Sequence, residues 1–126
     1  MYPCIEIKPG GILHNLKILK NKCAENGMSL SVVTKMLVGY EPLVRFLVEE
    51  GEITAICDSR VENFMEFVDI KAEKWLIRSP MLSQARDVVR FTDVSLNSEI
   101  EVIRALNEEA KKQSKRHKVI LMYECG

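Results

Sequence analysis

Short apolar segments alternate with longer amphipathic segments along the whole sequence, and this alternation constrains the fold more than any other feature. Apolar residues at helical spacing follow the break at Pro9-Gly10-Gly11, and Asn26-Gly27 is a typical helix stop. A β-branched run then ends at Lys35, and Glu41-Pro42 begins the next helix. Helices between short apolar strands predict βαβ units and a parallel sheet, which is an α/β fold.

The alternation predicts five strands after a short extended N-terminal strand at Cys4–Ile7. The predicted strands cover residues 29–34, 53–57, 74–77, 93–96 and 118–123. Helices are predicted over 61–68, 83–91 and 98–113, in addition to the two that start near Pro9 and Glu41. The sequences from Ser59 to Glu62 and from Ser98 to Glu101 each place a glutamate three residues after a serine, which predicts two capping boxes.

Composition excludes several classes of protein. The chain has 126 residues and a formal net charge of +0, so we expect one domain without a field that would attract nucleic acid or an anionic membrane. No apolar run has the length of a membrane span, and the N-terminus lacks the features of a signal peptide. The four cysteines form no CxxC pair, which argues against a zinc site or a disulfide framework. We therefore expect a cytoplasmic protein with reduced thiols.

Polar residues follow each predicted strand, where a parallel α/β fold binds its ligand. These residues are Lys35; Asp58, Ser59 and Arg60; Arg78 and Ser79; Asn97 and Ser98; and Glu124. The sequence contains neither a GxGxxG motif nor a Walker A loop, which disfavours dinucleotide and P-loop nucleotide binding. We therefore expect a ligand-binding site at the carboxyl ends of the strands, without a phosphate-binding loop of either of these two kinds.

Several of these side chains have two interpretations. Lys35 is either a solvated lysine at a strand end or a Schiff-base lysine with an activated amine. Asp58 and Ser59 are first of all helix caps. Arg60 and Arg78 either neutralise a phosphate or carboxylate or pair with a nearby acidic residue. The remaining polar residues have structural interpretations: Asn97-Ser98 as a cap, His14 as a structural hydrogen-bonding residue, and His117 as a solvated part of the basic segment 111–118.

Five stretches in order along the chain resemble the alanine racemase N-terminal domain family, and most closely its branch of ornithine racemase and related amino-acid racemases. The stretches are Glu6-Ile7 with Leu13-His14-Asn15-Leu16, Val32-Val33-Thr34-Lys35, Cys57 to Asn63, Arg78 to Leu82, and Ser95 to Glu99. The resemblance implies a (β/α)₈ TIM-type barrel that holds pyridoxal 5′-phosphate (PLP) as an aldimine on the lysine ending the first barrel strand. Lys35 stands at that position.

The resemblance also implies a function and a set of site residues. Lys35 would hold PLP and act as one of two bases that move the α-proton of an amino-acid substrate, with Arg78 and Asn97 as further cofactor contacts. In alanine racemases proper a tyrosine follows the lysine by four positions, whereas this chain has Gly39 there and Tyr40 one position later. The second base of the family, a tyrosine, has no counterpart in this sequence.

Chain length adds an expectation about completeness. A (β/α)₈ barrel takes about 250 residues, so residues 1–126 are expected to form a truncated, N-terminal portion of the barrel that is inactive alone. Val119 to Met122 is an apolar run typical of a strand buried on both faces. If exposed, such a strand pairs with another chain, which predicts a homodimer.

Two alternatives to a racemase remain open at this point. The first is a non-catalytic PLP-binding protein of the PLP-homeostasis type, which is a single barrel with a similar strand-end lysine. The second is a half-barrel that binds nothing and serves only in assembly.

Overall fold

Five parallel strands form one sheet in sequence order in the computed structural model, which describes residues 3–126. The strands are β1 (Val32–Val33), β2 (Ala55–Asp58), β3 (Glu73–Leu76), β4 (Val94–Asn97) and β5 (Lys118–Leu121). The helices are α1 (Pro9–Glu25), α2 (Glu41–Glu49), α3 (Val61–Met65), α4 (Ala85–Phe91) and α5 (Ile100–Lys112). Each strand pairs with its sequence neighbour, as in the first units of a (β/α)₈ barrel. The predicted α/β fold with a partial barrel is confirmed.

The helices cover one face of the sheet and form the core with it. Register partners in a parallel sheet point to the same face, and the pairs Asp58–Leu76 and Leu76–Ser95 therefore define one face. Leu76 belongs to the hydrophobic core together with apolar residues of α2 to α5. Asp58, Leu76 and Ser95 are all buried, so the polar members of this face lie beneath the helices.

The opposite face of the sheet carries a charged cluster near the amino ends of its strands. Lys118 Nζ lies 2.6 Å from Glu73 Oε1, and Trp75 Nε1 donates a hydrogen bond of 2.6 Å to Glu73 Oε2. These two contacts lower the pKa of Glu73, with the Lys118 contact as the larger cause. The cluster ties β3 to β5 across β4, on the side where the interior of a barrel lies.

Two phenylalanines fill the centre of the helix-covered core. Phe64 and Phe67 are fully buried and stack edge to face, with ring centroids 5.7 Å apart. Phe67 follows α3, so the chain reversal after this short helix contributes to the core as much as the helix does. This cluster also supports the loop that follows β1, as shown below.

The structure corrects some details of the sequence predictions. Cys4–Ile7 forms no strand, since it has no ladder partner among residues 3–126. The two capping boxes do not form: Arg60 and Glu99 occupy the N-cap positions of α3 and α5 with extended backbone, which leaves each serine one residue too early to cap. The apolar run of β5 is exposed, which is the condition under which pairing with another chain is expected.

No helix within residues 3–126 has both the length and the apolar character that crossing a bilayer requires.

Candidate functional site

Lys35 lies at the carboxyl edge of the sheet, in a 3₁₀ turn (Lys35–Leu37) that begins two residues after β1. Its side chain is exposed, whereas that of the preceding Thr34 is 1% exposed. No acidic group of residues 3–126 forms an ion pair with the Lys35 amine. The amine is therefore sterically accessible from solvent.

The backbone of the loop from Thr34 to Gly39 is tightly folded. The Thr34 carbonyl accepts hydrogen bonds from the N–H groups of Leu37 (3.0 Å) and Gly39 (3.4 Å). Val38 has φ 51° and Gly39 has φ 62°, so two consecutive residues adopt the left-handed conformation. A β-branched residue rarely adopts this conformation, which indicates local strain next to Lys35.

Gly39 packs directly against the core beneath this loop. A Cβ added at Gly39 would lie 2.8 Å from Asn63 Cβ and 3.1 Å from Phe67 Cε1. Both the left-handed φ and the lack of space therefore require glycine at this position. The glycine that replaces the expected tyrosine is thus a structural element of the Lys35 loop.

Asp58, the last residue of β2, accepts hydrogen bonds from three different segments. Its Oδ2 accepts from Thr34 Oγ1 (2.8 Å), and its Oδ1 accepts from the Arg60 N–H (3.0 Å) and from Asn63 Nδ2 (3.0 Å). The predicted role of Asp58 as a helix cap is wrong, because Arg60 occupies the N-cap position of α3 and the bond to the Arg60 N–H lies in the turn before the helix. The bonds to Thr34 and Asn63 were not predicted from the sequence.

Arg78 and Arg60 line a cleft at the same edge of the sheet. The cleft has a volume of about 360 Å³ and extends between the loops that follow β2 and β3. Arg60 Nε lies 3.8 Å from Glu62 Oε2, whereas Arg78 has no ion pair within residues 3–126. Both arginine side chains are exposed, and because Glu62 also lines the cleft beside Arg60, Arg78 is the cation that the cleft presents to an anionic group.

Asn97 ends β4 but is not brought to the exposed rim with Lys35 and Arg78. It is fully buried, and its Nδ2 donates to the carbonyl (3.0 Å) and to Oγ (2.9 Å) of Ser95. Its Oδ1 has no hydrogen-bond partner among residues 3–126. Asn97 is two residues after Ser95 in β4, so it points to the same face of the sheet, which the helices cover. Its role as a cofactor contact stays a prediction.

His117 is half-buried rather than solvated with its basic neighbours, which corrects the sequence interpretation. Its Nε2 lies 2.8 Å from Ser95 Oγ, because the chain turns back from α5 into β5 at this point. His14, in contrast, is exposed and forms no side-chain hydrogen bond within the described part of the chain. The structural histidine is therefore His117 and not His14.

Acidification should destabilise the protein through His117. Burial lowers the pKa of His117 below its ordinary value of 6.5, so the unfolded chain binds the proton more tightly than the folded one. The stabilising contribution of neutral His117 is therefore complete above the unfolded pKa and is lost as the pH falls below it. Urea unfolding at a series of pH values measures this loss, and we expect His117→Gln to flatten the profile below pH 6.5. An unchanged profile in His117→Gln, with His14→Gln as control, would contradict this assignment.

Within residues 3–126, no three His, Cys, Asp or Glu side chains are grouped so that they could hold a metal ion.

Comparison with known proteins extends over the whole chain. It is 36% identical over 126 residues to an ornithine racemase of Acetoanaerobium sticklandii, of which it spans 35%. It is 24% identical over 128 residues to a lysine racemase of Thermotoga maritima, of which it spans 36%. The chain thus corresponds to about a third of each relative. No protein-family model matches it.

Solved structures share the fold. An alanine racemase of Clostridium difficile superposes on 85% of this chain and 30% of its own, with a TM-score of 0.70 and 15% identity. PipY of Synechococcus elongatus, solved without PLP, superposes on 91% of this chain and 54% of its own, with a TM-score of 0.72 and 15% identity. The predicted resemblance is confirmed: the chain is similar in sequence to an ornithine racemase and a lysine racemase, and it shares its fold with an alanine racemase.

Proposed function

We propose that residues 1–126 are the N-terminal portion of the barrel domain of a PLP-dependent amino-acid racemase. The observation that carries this proposal is the exposed amine of Lys35, without an ion pair in residues 3–126, at the carboxyl edge of the sheet. The 36% identity with an ornithine racemase supports the reaction class. In this proposal Lys35 holds the cofactor and moves the α-proton of the substrate.

The residues present fit PLP. Its aldehyde requires an accessible primary amine, which Lys35 offers. Its phosphate requires cationic or N–H donors, and Arg78 offers a guanidinium in a cleft of about 360 Å³ at the same edge of the sheet. In (β/α)₈ barrels the loops after strands 7 and 8 frequently bind phosphate, so Arg78 would be one contact among several.

Lys35 would perform two tasks at one atom. Its Nζ holds the cofactor in the resting protein and, once free, takes or returns the α-proton on one face of the substrate. PLP, when bound, delocalises the negative charge that develops at the α-carbon. Inversion also requires a base on the opposite face, and no residue of this chain is assigned that role.

Racemisation of basic amino acids tests the proposal. A polypeptide that contains this chain, supplied with PLP, should convert L-ornithine or L-lysine into a mixture of both enantiomers, measured by chiral chromatography. We expect residues 1–126 alone to show no turnover above background, because the second base is missing. Robust turnover by this segment, or none by the longer polypeptide with any amino acid, would contradict the proposal.

A second candidate function is that of a non-catalytic PLP-binding protein. The superpositions on PipY and on the alanine racemase have similar TM-scores, 0.72 and 0.70, so the fold is compatible with either function. Covalent PLP on Lys35 without turnover of any amino acid would support this second function. Its distinguishing experiment is therefore the same chiral assay.

An exposed apolar strand supports one further part of the proposal, which is association of the chain with a second copy. Val119, Ile120, Leu121 and Met122 are all more than a third exposed, which supports association into a homodimer. Sedimentation equilibrium should show a dimer that Ile120→Lys weakens; a wild-type monomer at high concentration would contradict the dimer.

A further inference from the structure

We propose that Asp58 is a positioning residue for Lys35, an inference that rests on the proposed function of that lysine. Asp58 does not act on substrate. It fixes the loop from Thr34 to Gly39 at both of its ends, and thereby determines where the Lys35 amine stands. The hydrogen bond from Thr34 Oγ1 to Asp58 Oδ2 (2.8 Å) fixes the first end, one residue before Lys35.

The second end of the loop is fixed through Asn63. Asn63 is buried, and its Nδ2 donates to Asp58 Oδ1 at 3.0 Å, which determines the orientation of its side chain. Gly39 packs against this side chain so closely that an added Cβ would lie 2.8 Å from Asn63 Cβ and 3.2 Å from Asn63 Cγ. Asp58 therefore fixes the Asn63 side chain, against which Gly39 packs at the end of the loop.

The burial of Asp58 indicates that it has a specific task. Its side chain is fully buried, and no cation of residues 3–126 pairs with it, an arrangement that is costly unless hydrogen bonds compensate. All three of its contacts are donors that point at it: one hydroxyl, one backbone N–H and one amide. A carboxylate accepts hydrogen bonds from all three without a conflict.

Local strain explains why such a fixed point is needed. The left-handed conformation of Val38 is unfavourable, and it persists only where surrounding contacts hold the backbone in place. Removal of the Asp58 contacts should release Thr34, whose carbonyl accepts two N–H groups of the turn. Lys35 would then sample more orientations and meet a bound aldehyde less often.

The experiment compares three variants by two measurements. Asp58→Ala should slow the formation of the borohydride-stable pyridoxyl group on Lys35 about tenfold, and Thr34→Val by a smaller factor. Asp58→Asn should restore most of the rate. Its Oδ1 can still accept from Arg60 and Asn63, while its amide donates to Thr34 Oγ1, whose hydroxyl turns to the Cys57 carbonyl at 3.2 Å. Hydrogen exchange at the amides of Leu37 to Tyr40 should be faster in Asp58→Ala and near wild type in Asp58→Asn.

Thr92→Val is the matched control for Thr34→Val. Both threonines are at most 1% exposed, and each donates to a backbone carbonyl, but Thr92 lies at the amino end of β4. Thr34→Val should lose more stability than Thr92→Val, because it also leaves Asp58 Oδ2 without its donor, and only Thr34→Val should slow the reaction of Lys35. If Asp58→Ala does not fold, the comparison of Thr34→Val with Thr92→Val tests the positioning role. Equal slowing in both threonine variants, or Asp58→Asn as slow as Asp58→Ala, would overturn the positioning role.

A measurement made without PLP distinguishes a failure of this inference from a failure of the proposed function. In competitive acetylation, the reactivity of Lys35 relative to the exposed Lys71 should change in Asp58→Ala and return in Asp58→Asn. If wild-type protein takes up no PLP on Lys35 but these changes occur, the proposed function fails and the positioning stands. If wild-type protein takes up PLP and neither exchange nor reactivity responds to Asp58→Ala, the positioning fails alone.

Discussion

In a polypeptide that contains this chain, replacing Lys35 with alanine should abolish covalent retention of PLP and reduce racemisation by at least about 10²–10⁴-fold, the usual contribution of a positioned proton-transfer group. The loss should leave the fold intact, because Lys35 is exposed and makes no ion pair among residues 3–126. Visible absorbance after gel filtration measures retained cofactor, and chiral chromatography measures racemisation. Urea unfolding should agree with wild type within about 0.5 kcal/mol.

Lys71→Ala is the control for this variant. Lys71 is also exposed, but it precedes β3 and so lies at the opposite edge of the sheet. We expect it to retain PLP and activity. Covalent PLP that persists in Lys35→Ala, or is lost equally in Lys71→Ala, would refute the role of Lys35.

Gly39→Ala should have the largest effect on stability among the loop variants. The left-handed conformation costs a residue with a Cβ about 1–2 kcal/mol. Crowding against Asn63 and Phe67 adds about 1–3 kcal/mol, since the new Cβ would lie 2.8 Å from Asn63 Cβ. We therefore expect the free energy of unfolding to fall by about 2–5 kcal/mol. PLP uptake by Lys35 should slow as well, because the loop can no longer close.

Gly27→Ala provides the matched control. Gly27 has a similar φ of 67° but no atom within 4 Å of an added Cβ, so only the conformational penalty of about 1–2 kcal/mol applies. The difference between the two variants in urea unfolding isolates the contact of Gly39 with Asn63 and Phe67. Equal losses would mean that this contact does not support the loop.

The order and type of the elements of the sheet and its helices could be predicted from the sequence because their periodicity is clear, whereas the strand predicted at Cys4–Ile7 does not form. Short apolar runs predicted the five strands, and the helix after Glu41-Pro42 was predicted from its proline and its apolar face. Element ends were less predictable. Ser59 and Ser98 have the right spacing for capping boxes, but the helices begin one residue later than this spacing requires.

The part of the site that lies within one segment was also predictable. Lys35 and Arg78 stand just after predicted strands, and the structure places both on the exposed carboxyl edge. Asp58 was identified only as a helix cap, because its partner Thr34 is 24 residues away in sequence. That pairing depends on the register of β1 against β2, which periodicity does not encode.

Burial of polar residues was the least predictable feature. Asn97 follows the same strand-end pattern as Lys35, yet it faces the helices because its position in β4 has the opposite parity. His117 stands among basic residues in the sequence, but the return of the chain into β5 brings it against Ser95. In both residues the direction of the side chain follows from tertiary packing rather than from neighbours in sequence.

Borohydride reduction of the wild-type protein in the presence of PLP, followed by proteolysis and mass spectrometry, tests the central claim most directly. Lys35 differs from the other lysines in its place at the carboxyl edge of the sheet, directly after the β1 segment. We expect one dominant pyridoxyl group, on the peptide that carries Lys35, at stoichiometric PLP. A dominant pyridoxyl group on any other lysine, or an even distribution over many lysines, would contradict it.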